Sequence, residues 1–337
     1  MIDFRTDYLG LTLKNPLVPS ASPLSRGLDD ARRLEDAGAA ALVMYSLFEE
    51  EVRAEEALLD RHVVHETLGH AEAQGFMPLH PRYQSGLDAY LEQIVGLKSA
   101  LEIPVVASLN GTTPGGWVEL GRELAQAGAD ALELNVYYVA ADAEQTSVEV
   151  ERRYLELLHG LRQVVTLPIA IKLSPYFSSL PHFVQQLEYT GANGIALFNR
   201  FFQPDIDLDA LALVDELQLS SSNDSLLTLR WIALLHGRTK LTLAATGGVH
   251  TSADALKMLL AGADVVHLAS ALIRHGPQRL ATILREMEAW MSAREYTSVR
   301  QLKGSLSQRN QPDPAAYARA SYVRLLDSFR RRPGGYR

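Results

Sequence analysis

The sequence predicts an α/β protein in which eight parallel strands, each followed by a helix, close into a (β/α)8 barrel. The first observation is a short phrase of small residues around a glycine, which occurs four times, at 37–40, 127–130, 190–193 and 261–264. Each copy follows a helix-like segment and runs directly into an apolar stretch, as expected where a glycine ends a helix before a buried parallel strand. We therefore expect a left-handed conformation at the four glycines, Gly38, Gly128, Gly191 and Gly262.

A second set of apolar runs alternates with the first and brings the count of strands to eight. These runs lie at 15–20, 103–109, 167–173 and 241–246, and the first three carry a proline near their start. Proline at the beginning of a strand removes no ladder hydrogen bond. Eight alternating strands separated by helical patterns favour a TIM barrel. The alternative is an open doubly wound sheet, but no glycine-rich dinucleotide fingerprint follows the first strand.

The chain of 337 residues is longer than the usual barrel of about 250. The surplus lies in two places. Residues 46–100 connect the second and third strands and predict an inserted lobe, while 292–337 predict a helical extension after the last barrel helix at 279–291. We expect one barrel domain, residues 1–291 including that lobe, and a C-terminal extension rather than a second domain.

Composition excludes several classes of function. The net charge is −8 and basic residues cluster only at 330–332, so we predict no nucleic-acid partner. We see neither the apolar core of a signal peptide nor a run near the ~20 apolar residues of a membrane span, so we expect a cytoplasmic protein without a membrane partner. The absence of cysteine excludes disulfides, thiolate metal sites, protein-held iron–sulfur clusters and thiol catalysis within this chain.

Chemistry in a barrel takes place at the carboxyl ends of the strands. The residues at those ends are amides, hydroxyls, glycines, one lysine and one arginine, without the paired carboxylates of glycosidases. They include Ala21, Ser22, Ser46, Asn110, Asn135, Lys172, Asn199, Arg200, Gly247, Gly248, Ala269 and Ser270.

The loops after the seventh and eighth strands predict a phosphate site. Gly247 and Gly248 precede a helix start at which Thr251 or Ser252 is a plausible N-cap. Ala269 and Ser270 follow the eighth strand, and barrels often bind phosphate between these two loops. The alternative is that the two glycines form only a tight turn.

Lys172 is the only lysine among the strand ends. It can pair with an anion, polarise a carbonyl or form a Schiff base, and the alternative is a structural lysine whose amine reaches solvent. Four histidines in the insert, His62, His65, His70 and His80, suggest a metal site. The acidic run at 49–56 instead favours a solvated helix, and we predict no metal.

At these residues the sequence resembles the dihydroorotate dehydrogenase family, the FMN-binding barrels of pyrimidine biosynthesis. The resemblance covers residues 3 to about 291, and its motifs occur in order on the expected strands, which makes the combination specific. The motifs are Glu133-Leu134-Asn135, Ile171-Lys172-Leu173-Ser174-Pro175-Tyr176, Thr246-Gly247-Gly248-Val249, and Ser270-Ala271-Leu272 followed by Gly276-Pro277.

The resemblance implies an FMN site and gives roles to most of the strand-end residues. Ala21 and Ser22 would lie against the isoalloxazine, Asn135 and Lys172 would bind its polar edge, and Asn199 would bind substrate. Arg200, beside Asn199, is a further substrate-binding candidate because it can pair with an anion. Ser46 and Asn110 complete the cofactor set, and backbone groups would hold the phosphate at Gly247, Gly248, Ala269 and Ser270. The resemblance also implies a homodimer.

The substrate half departs from the family pattern. Tyr138 stands where the family has its cysteine or serine base, and Tyr45 with Ser46 stands where it has a lysine. Of the orotate-binding segment, near 82–86, only Gly86 remains. An unperturbed tyrosine, with a pKa of about 10, is a weak base at neutral pH. Packing of Tyr137 and Tyr138 against the flavin or the barrel mouth is therefore an equal alternative to a catalytic role.

Together these observations predict an FMN-dependent oxidoreductase acting on a CH–CH group. We expect hydride transfer between a small cyclic or unsaturated acid and flavin N5, with Lys172 and Tyr138 catalytic and electrons passing to a soluble acceptor or a redox partner protein. Two alternatives stay open. One is a flavin-bound subunit of low activity within a redox assembly, and the other is a Schiff-base lyase or aldolase that uses Lys172.

Overall fold

The computed structural model describes residues 2–55, 86–111, 114–201, 203–214, 216–318 and 327. Two short strands, β1 (Thr6–Tyr8) and β2 (Leu11–Leu13), pair as an antiparallel hairpin near the start of the chain. The strands after them are β3 (Leu17–Pro19), β4 (Leu42–Phe48), β5 (Val105–Asn110), β6 (Ala131–Asn135), β7 (Ile169–Leu173), β8 (Gly194–Leu197), β9 (Asp205–Asp207), β10 (Ala212–Val214), β11 (Thr242–Thr246) and β12 (Val265–Leu268).

Eight of these strands form one parallel sheet in the order β3-β12-β11-β8-β7-β6-β5-β4. A backbone hydrogen bond of 3.0 Å from Ala40 N–H, two residues before β4, to the carbonyl of Leu17 in β3 links the two ends of the sheet. The sheet is therefore a nearly closed (β/α)8 barrel, which confirms the predicted fold and the position of every predicted strand.

Helices cover the outside of the sheet. They are α1 (Leu28–Asp36), α2 (from residue 49, described to 55), α3 (Gly86–Ala100), α4 (Pro114–Gln126), α5 (Ser147–Arg162), α6 (Leu180–Thr190), α7 (Ser225–Leu235), α8 (Ser252–Ala261), α9 (Ser270–His275), α10 (Arg279–Ser292), α11 (Val299–Leu302) and α12 (Ala315–Ala318). None of the helices within the described ranges is both long and apolar enough to cross a bilayer.

The four repeated glycines have the conformation that the sequence predicts. Their φ angles are 105° at Gly38, 98° at Gly128, 107° at Gly191 and 123° at Gly262, values that residues with a Cβ rarely adopt. Each glycine lets the chain leave a helix and turn at once into the next strand, so the repeated phrase marks helix–strand boundaries.

The N-terminal hairpin fills one end of the barrel. Tyr8, Leu9 and Leu13 are buried with small side chains on the inner face of the strands, among them Ala170 and Ala244. The Leu9 N–H donates to Thr242 Oγ1, at the start of β11, over 3.3 Å. Because the hairpin occupies the amino-terminal end of the strands, the open end is the carboxyl end, where chemistry is expected.

The sequence predicts two additions to the barrel, at 46–100 and at 292–337, and the structure describes part of each. Of the insert between β4 and β5 the structure describes α2 and α3, and residues 56–85, with His62, His65, His70 and His80, lie outside the described ranges. In the part of the chain that is described, no group of three or more metal-binding side chains is present. The extension after α10 packs back on the barrel, where Lys303 Nζ contacts Asp264 Oδ1 at 2.6 Å.

A further insertion, between β8 and α7, was not predicted from the sequence. There the chain forms the antiparallel hairpin β9–β10. Its apolar side chains are exposed, with Leu208 80% and Leu211 84% accessible. The segment just after this hairpin, at Leu217 and Leu219, reaches the rim of the barrel mouth.

Candidate functional site

A cleft of about 540 Å³ opens at the carboxyl ends of the strands. Every one of the eight barrel strands ends in a residue or loop that lines it. The lining includes all of the predicted cofactor- and substrate-binding residues, which are Ala21, Ser22, Ser46, Asn110, Asn135, Lys172, Asn199, Arg200, Gly247, Gly248, Ala269 and Ser270. The volume is in the range of sites for small molecules and cofactors.

Amides and hydroxyls form a hydrogen-bonded chain across the cleft floor. Asn199 Nδ2 donates to Asn135 Oδ1 at 2.5 Å, and Asn135 Nδ2 donates to Ser46 Oγ at 3.1 Å. Ser46 Oγ in turn lies 2.8 Å from Ser108 Oγ. A register shift in β4 between Val43 and Ser46 brings Ser46, rather than Tyr45, level with Ser108. These hydrogen bonds fix the orientation of the Asn135 and Asn199 amides before any ligand binds.

Lys172 lies on this floor with a buried counterion. Its side chain is 9% exposed and its Nζ is 3.4 Å from Glu133 Oε1, on the neighbouring strand β6. Glu133 is completely buried. Charges paired away from water interact far more strongly than at a surface. The floor therefore presents one amine held by a buried carboxylate, a partner that was not predicted from the sequence.

His267 extends the polar group around Glu133, is itself part of the cleft lining, and was not predicted from the sequence. Its Nδ1 lies 3.8 Å from Glu133 Oε2, beyond hydrogen-bond distance, and neither ring nitrogen has a hydrogen-bond partner within the described residues. Burial, with a smaller contribution from the charge of Lys172, lowers the pKa of His267 to about 4, against the opposing effect of Glu133. The imidazole is thus neutral at physiological pH. Its place two residues before Ala269, on the same face of β12, was the signal available in the sequence.

Two glycines shape the opposite end of the cleft. Gly247 and Gly248 have φ angles of 90° and 74°. A Cβ at Gly248 would lie 2.4 Å from the backbone nitrogen of Ser225, whereas one at Gly247 would meet open space. Glycine at 248 therefore lets the 221–225 turn lie directly against the end of β11. Thr251, one of the two candidates predicted from the sequence, is the N-cap of α8 and accepts a hydrogen bond from Asp254 N–H.

The structure separates the two tyrosines that follow β6. Tyr137 lines the cleft, and its ring meets that of Phe201 edge-on at 4.5 Å. Tyr138 is not part of the lining. Its hydroxyl donates to Gln145 Oε1 at 2.5 Å, and the Arg153 guanidinium lies over its ring at 3.9 Å. The catalytic role predicted for Tyr138 has no support from this position.

Two guanidinium groups flank the cleft. Arg200 is exposed and lines the cleft beside Asn199, and the substrate-binding role of this pair stays a prediction. Arg26 was missed, and it lies with its guanidinium 4.9 Å from the Tyr45 ring centroid. The two arginines give the open side of the cleft a positive charge that suits an anionic ligand.

Fold and site together define a class: a (β/α)8 barrel with an amide-lined cleft, a buried lysine and a glycine turn after the seventh barrel strand. The chain belongs to the dihydroorotate dehydrogenase family, since the profile described as "Dihydroorotate dehydrogenase" matches residues 4–291. The family prediction made from the motifs is confirmed.

Curated relatives match the chain over most of its length. The catalytic subunit of dihydroorotate dehydrogenase B (NAD(+)) from Shouchella clausii is 24% identical over 302 residues, 88% of this chain and 95% of that protein. Dihydroorotate dehydrogenase A (fumarate) from Lactobacillus helveticus is 25% identical over 324 residues, 91% and 99% of the two chains. The Pyrococcus abyssi subunit of the NAD(+) type is 25% identical over 306 residues, 89% and 98%. Two of these names include NAD(+) and the third includes fumarate.

Proposed function

We propose that the protein is an FMN-dependent oxidoreductase that transfers hydride between a small cyclic or unsaturated acid and flavin N5. The observation that carries the proposal is the single cleft in which the Lys172–Glu133 pair, the Asn135–Asn199 amides and the Gly247–Gly248 turn occur together. Membership of the dihydroorotate dehydrogenase family supports it.

The residues of the cleft fit a flavin mononucleotide. Its polar floor suits the hydrogen-bonding edge of an isoalloxazine, and the open space above Gly247 suits a phosphate at the other end. In this proposal Asn135 and Lys172 hold the polar edge, Ala21 and Ser22 lie against the ring, and the groups at 247–248 and 269–270 hold the phosphate. When bound, the flavin supplies the two-electron acceptor or donor.

Lys172 has an electrostatic role in this proposal. An amine held against a buried carboxylate is preorganised, so it can stabilise negative charge that develops at the cleft floor without reorganising. Asn199 and Arg200 bind the substrate, with the guanidinium taking its carboxylate. A Schiff-base role has less support, because the amine is engaged by Glu133 and no acid–base pair reaches it from the cleft side within the described lining.

We expect Tyr137, which lines the cleft, to affect the rate of turnover more than Tyr138 does. Tyr137→Phe removes the hydroxyl of the tyrosine that lines the cleft, and we expect a rate of flavin reduction lower by about 10–100-fold, at the low end of acid–base effects. Tyr138→Phe removes a hydrogen bond to Gln145 outside the cleft and should change the rate less than about threefold. Stopped-flow reduction of the two variants is the measurement. Equal rates in Tyr137→Phe and the unmodified protein would contradict a catalytic role for Tyr137.

We also infer where the electrons go and how many chains associate. Without cysteine the chain cannot hold its own iron–sulfur relay, so electrons leave to a soluble acceptor or a redox partner protein. Relatives named as catalytic subunits favour a partner. We also propose a homodimer, which light scattering on the purified protein would test.

Anaerobic mixing with a panel of small cyclic and unsaturated acids, dihydroorotate among them, tests the reaction. We expect at least one acid to bleach the flavin absorbance. We expect Arg200→Ala to weaken the binding of that acid by about 10–100-fold, the size of a lost charge-assisted hydrogen bond, while FMN affinity is unchanged. Flavin that stays oxidised with every acid, together with borohydride trapping of a carbonyl compound on Lys172, would favour the lyase instead.

A further inference from the structure

A serine and a histidine form a pair at the phosphate end of the cleft that the predicted cradle does not use. Ser220, 4% exposed, lines the cleft beside Gly247 and Gly248. Its Oγ lies 3.1 Å from Nε2 of His250, which is itself 8% exposed. The Ser220 N–H donates to Ser270 Oγ at 3.2 Å, so Ser220 adjoins both phosphate loops.

The backbone of His250 is held on two sides. Its N–H donates to Asp254 Oδ2 at 3.1 Å, and its carbonyl accepts from Arg279 Nε at 2.9 Å and Arg279 Nη2 at 2.7 Å. Burial and then the charge of Arg274 lower the pKa of His250, with Asp254 opposing them. Which of Ser220 Oγ and His250 Nε2 donates depends on the tautomer of the imidazole. In the tautomer that carries its proton on Nε2, the ring donates to Ser220 Oγ and the serine proton is available to another acceptor.

The turn that carries Ser220 is equally restrained. Ser222 Oγ donates to Asp254 Oδ2 at 2.8 Å, and the backbone at Ser221 and Ser225 packs directly on Gly248. Thr228 Oγ1 donates to the carbonyl of Thr246 at 3.1 Å. These contacts hold the turn against the end of β11, so that Ser220 lines the cleft together with Gly247 and Gly248.

We propose that Ser220 is a further ligand of the cofactor's phosphate monoester and that His250 is the positioning residue that orients its hydroxyl. The inference rests on the proposed FMN site and adds a side-chain donor to a cradle otherwise built from backbone groups. A hydroxyl that donates to a phosphate oxygen makes a short, charge-assisted hydrogen bond. Arg274 and His275 lie close enough to act electrostatically on His250, so this end of the cleft also carries nearby basic side chains.

The test compares FMN with riboflavin, which has the same ring and no phosphate. Ser220→Ala should weaken FMN binding by about 10–100-fold, the range for a hydrogen bond to a charged group. Riboflavin affinity should change less than about twofold, because the contact is with the phosphate alone. Dissociation constants from flavin fluorescence quenching give the ratio directly, without any turnover.

A matched set of variants separates positioning from packing. His250→Gln places an amide nitrogen near the former Nε2 and should retain most FMN affinity, whereas His250→Leu should lose it as Ser220→Ala does. Ser99→Ala, on α3 and away from the cleft, should change neither affinity. Thermal melting of each variant checks folding.

The outcomes are distinguishable. Parallel loss of FMN and riboflavin affinity in Ser220→Ala would show that the serine shapes the cleft without binding phosphate, and would overturn the inference. An unchanged FMN affinity would also overturn it, while leaving the cofactor site intact. Unmodified protein that binds neither flavin would overturn the proposed function, and the inference with it.

Discussion

Replacing Lys172 with methionine is expected to lower the free energy of unfolding by about 3–5 kcal/mol. The change removes the amine 3.4 Å from Glu133 Oε1 and leaves a fully buried carboxylate without its cation. A buried charge that loses its partner destabilises the folded state more than the intact pair stabilises it. Urea unfolding of the two proteins measures the difference.

Replacing Glu133 as well should restore most of that stability. The variant Lys172→Met/Glu133→Met exchanges the ion pair for two apolar side chains of similar size, and such exchanges are often neutral or stabilising. We expect its free energy of unfolding to return to within about 1–2 kcal/mol of the unmodified protein. Equal destabilisation of the single and double variants would show that Lys172 acts by packing rather than by charge.

In the double variant we expect stability to be restored while catalysis stays impaired. Flavin reduction should stay slower by about 10²–10³-fold, the loss seen when one preorganised electrostatic donor is removed, although the fold is restored. FMN should still bind, since the phosphate end is untouched. A double variant that reduces its flavin at the original rate would remove Lys172 from the mechanism.

Gly248→Ala is expected to have the second large effect, this time on cofactor binding. The new Cβ would lie 2.4 Å from the Ser225 backbone nitrogen at a φ of 74°, so the 221–225 turn must move away from the strand end. Loss of two hydrogen bonds to a charged phosphate corresponds to about 3 kcal/mol, or roughly 100-fold in FMN affinity. Isothermal titration with FMN gives the value.

Gly128→Ala is the matched control for this change. Gly128 also has a positive φ, 98°, but a Cβ there meets nothing within 4 Å, and the residue is not part of the cleft lining. The Gly128→Ala variant should lose about 1–2 kcal/mol of stability from backbone strain alone, and its FMN affinity should be unchanged. If both variants bind FMN equally well, the glycine turn does not hold the phosphate.

The parts of the site that follow strand periodicity were predictable from the sequence. Gly38 and Gly262 mark helix ends because a positive φ is a local demand that glycine meets. Asn135 and Lys172 could be placed together because each ends a parallel strand, and such ends gather at one edge. The fold and most of the cleft lining could be predicted from these two rules, glycine at helix ends and the gathering of parallel strand ends at one edge.

Features beyond the strand ends were not predictable in the same way. Tyr138 follows β6 in an irregular segment, where side chains no longer alternate, so its direction depends on contacts with Gln145 and Arg153. His267 lies near the end of β12 and was not predicted, although the alternation of side chains along a strand places it on the same face as Ala269. Ser220 joins the cleft through a turn held by Gly248 and Asp254, contacts between segments far apart in the chain.

We propose above all that the cleft between Lys172 and Gly248 holds FMN. A visible absorption spectrum of the purified protein, as isolated and after addition of FMN and removal of the excess, tests this. We expect flavin bands that correspond to one FMN per chain, and their loss or marked weakening in Gly248→Ala. A colourless protein that stays free of flavin after FMN is added would show that the cleft does not hold this cofactor.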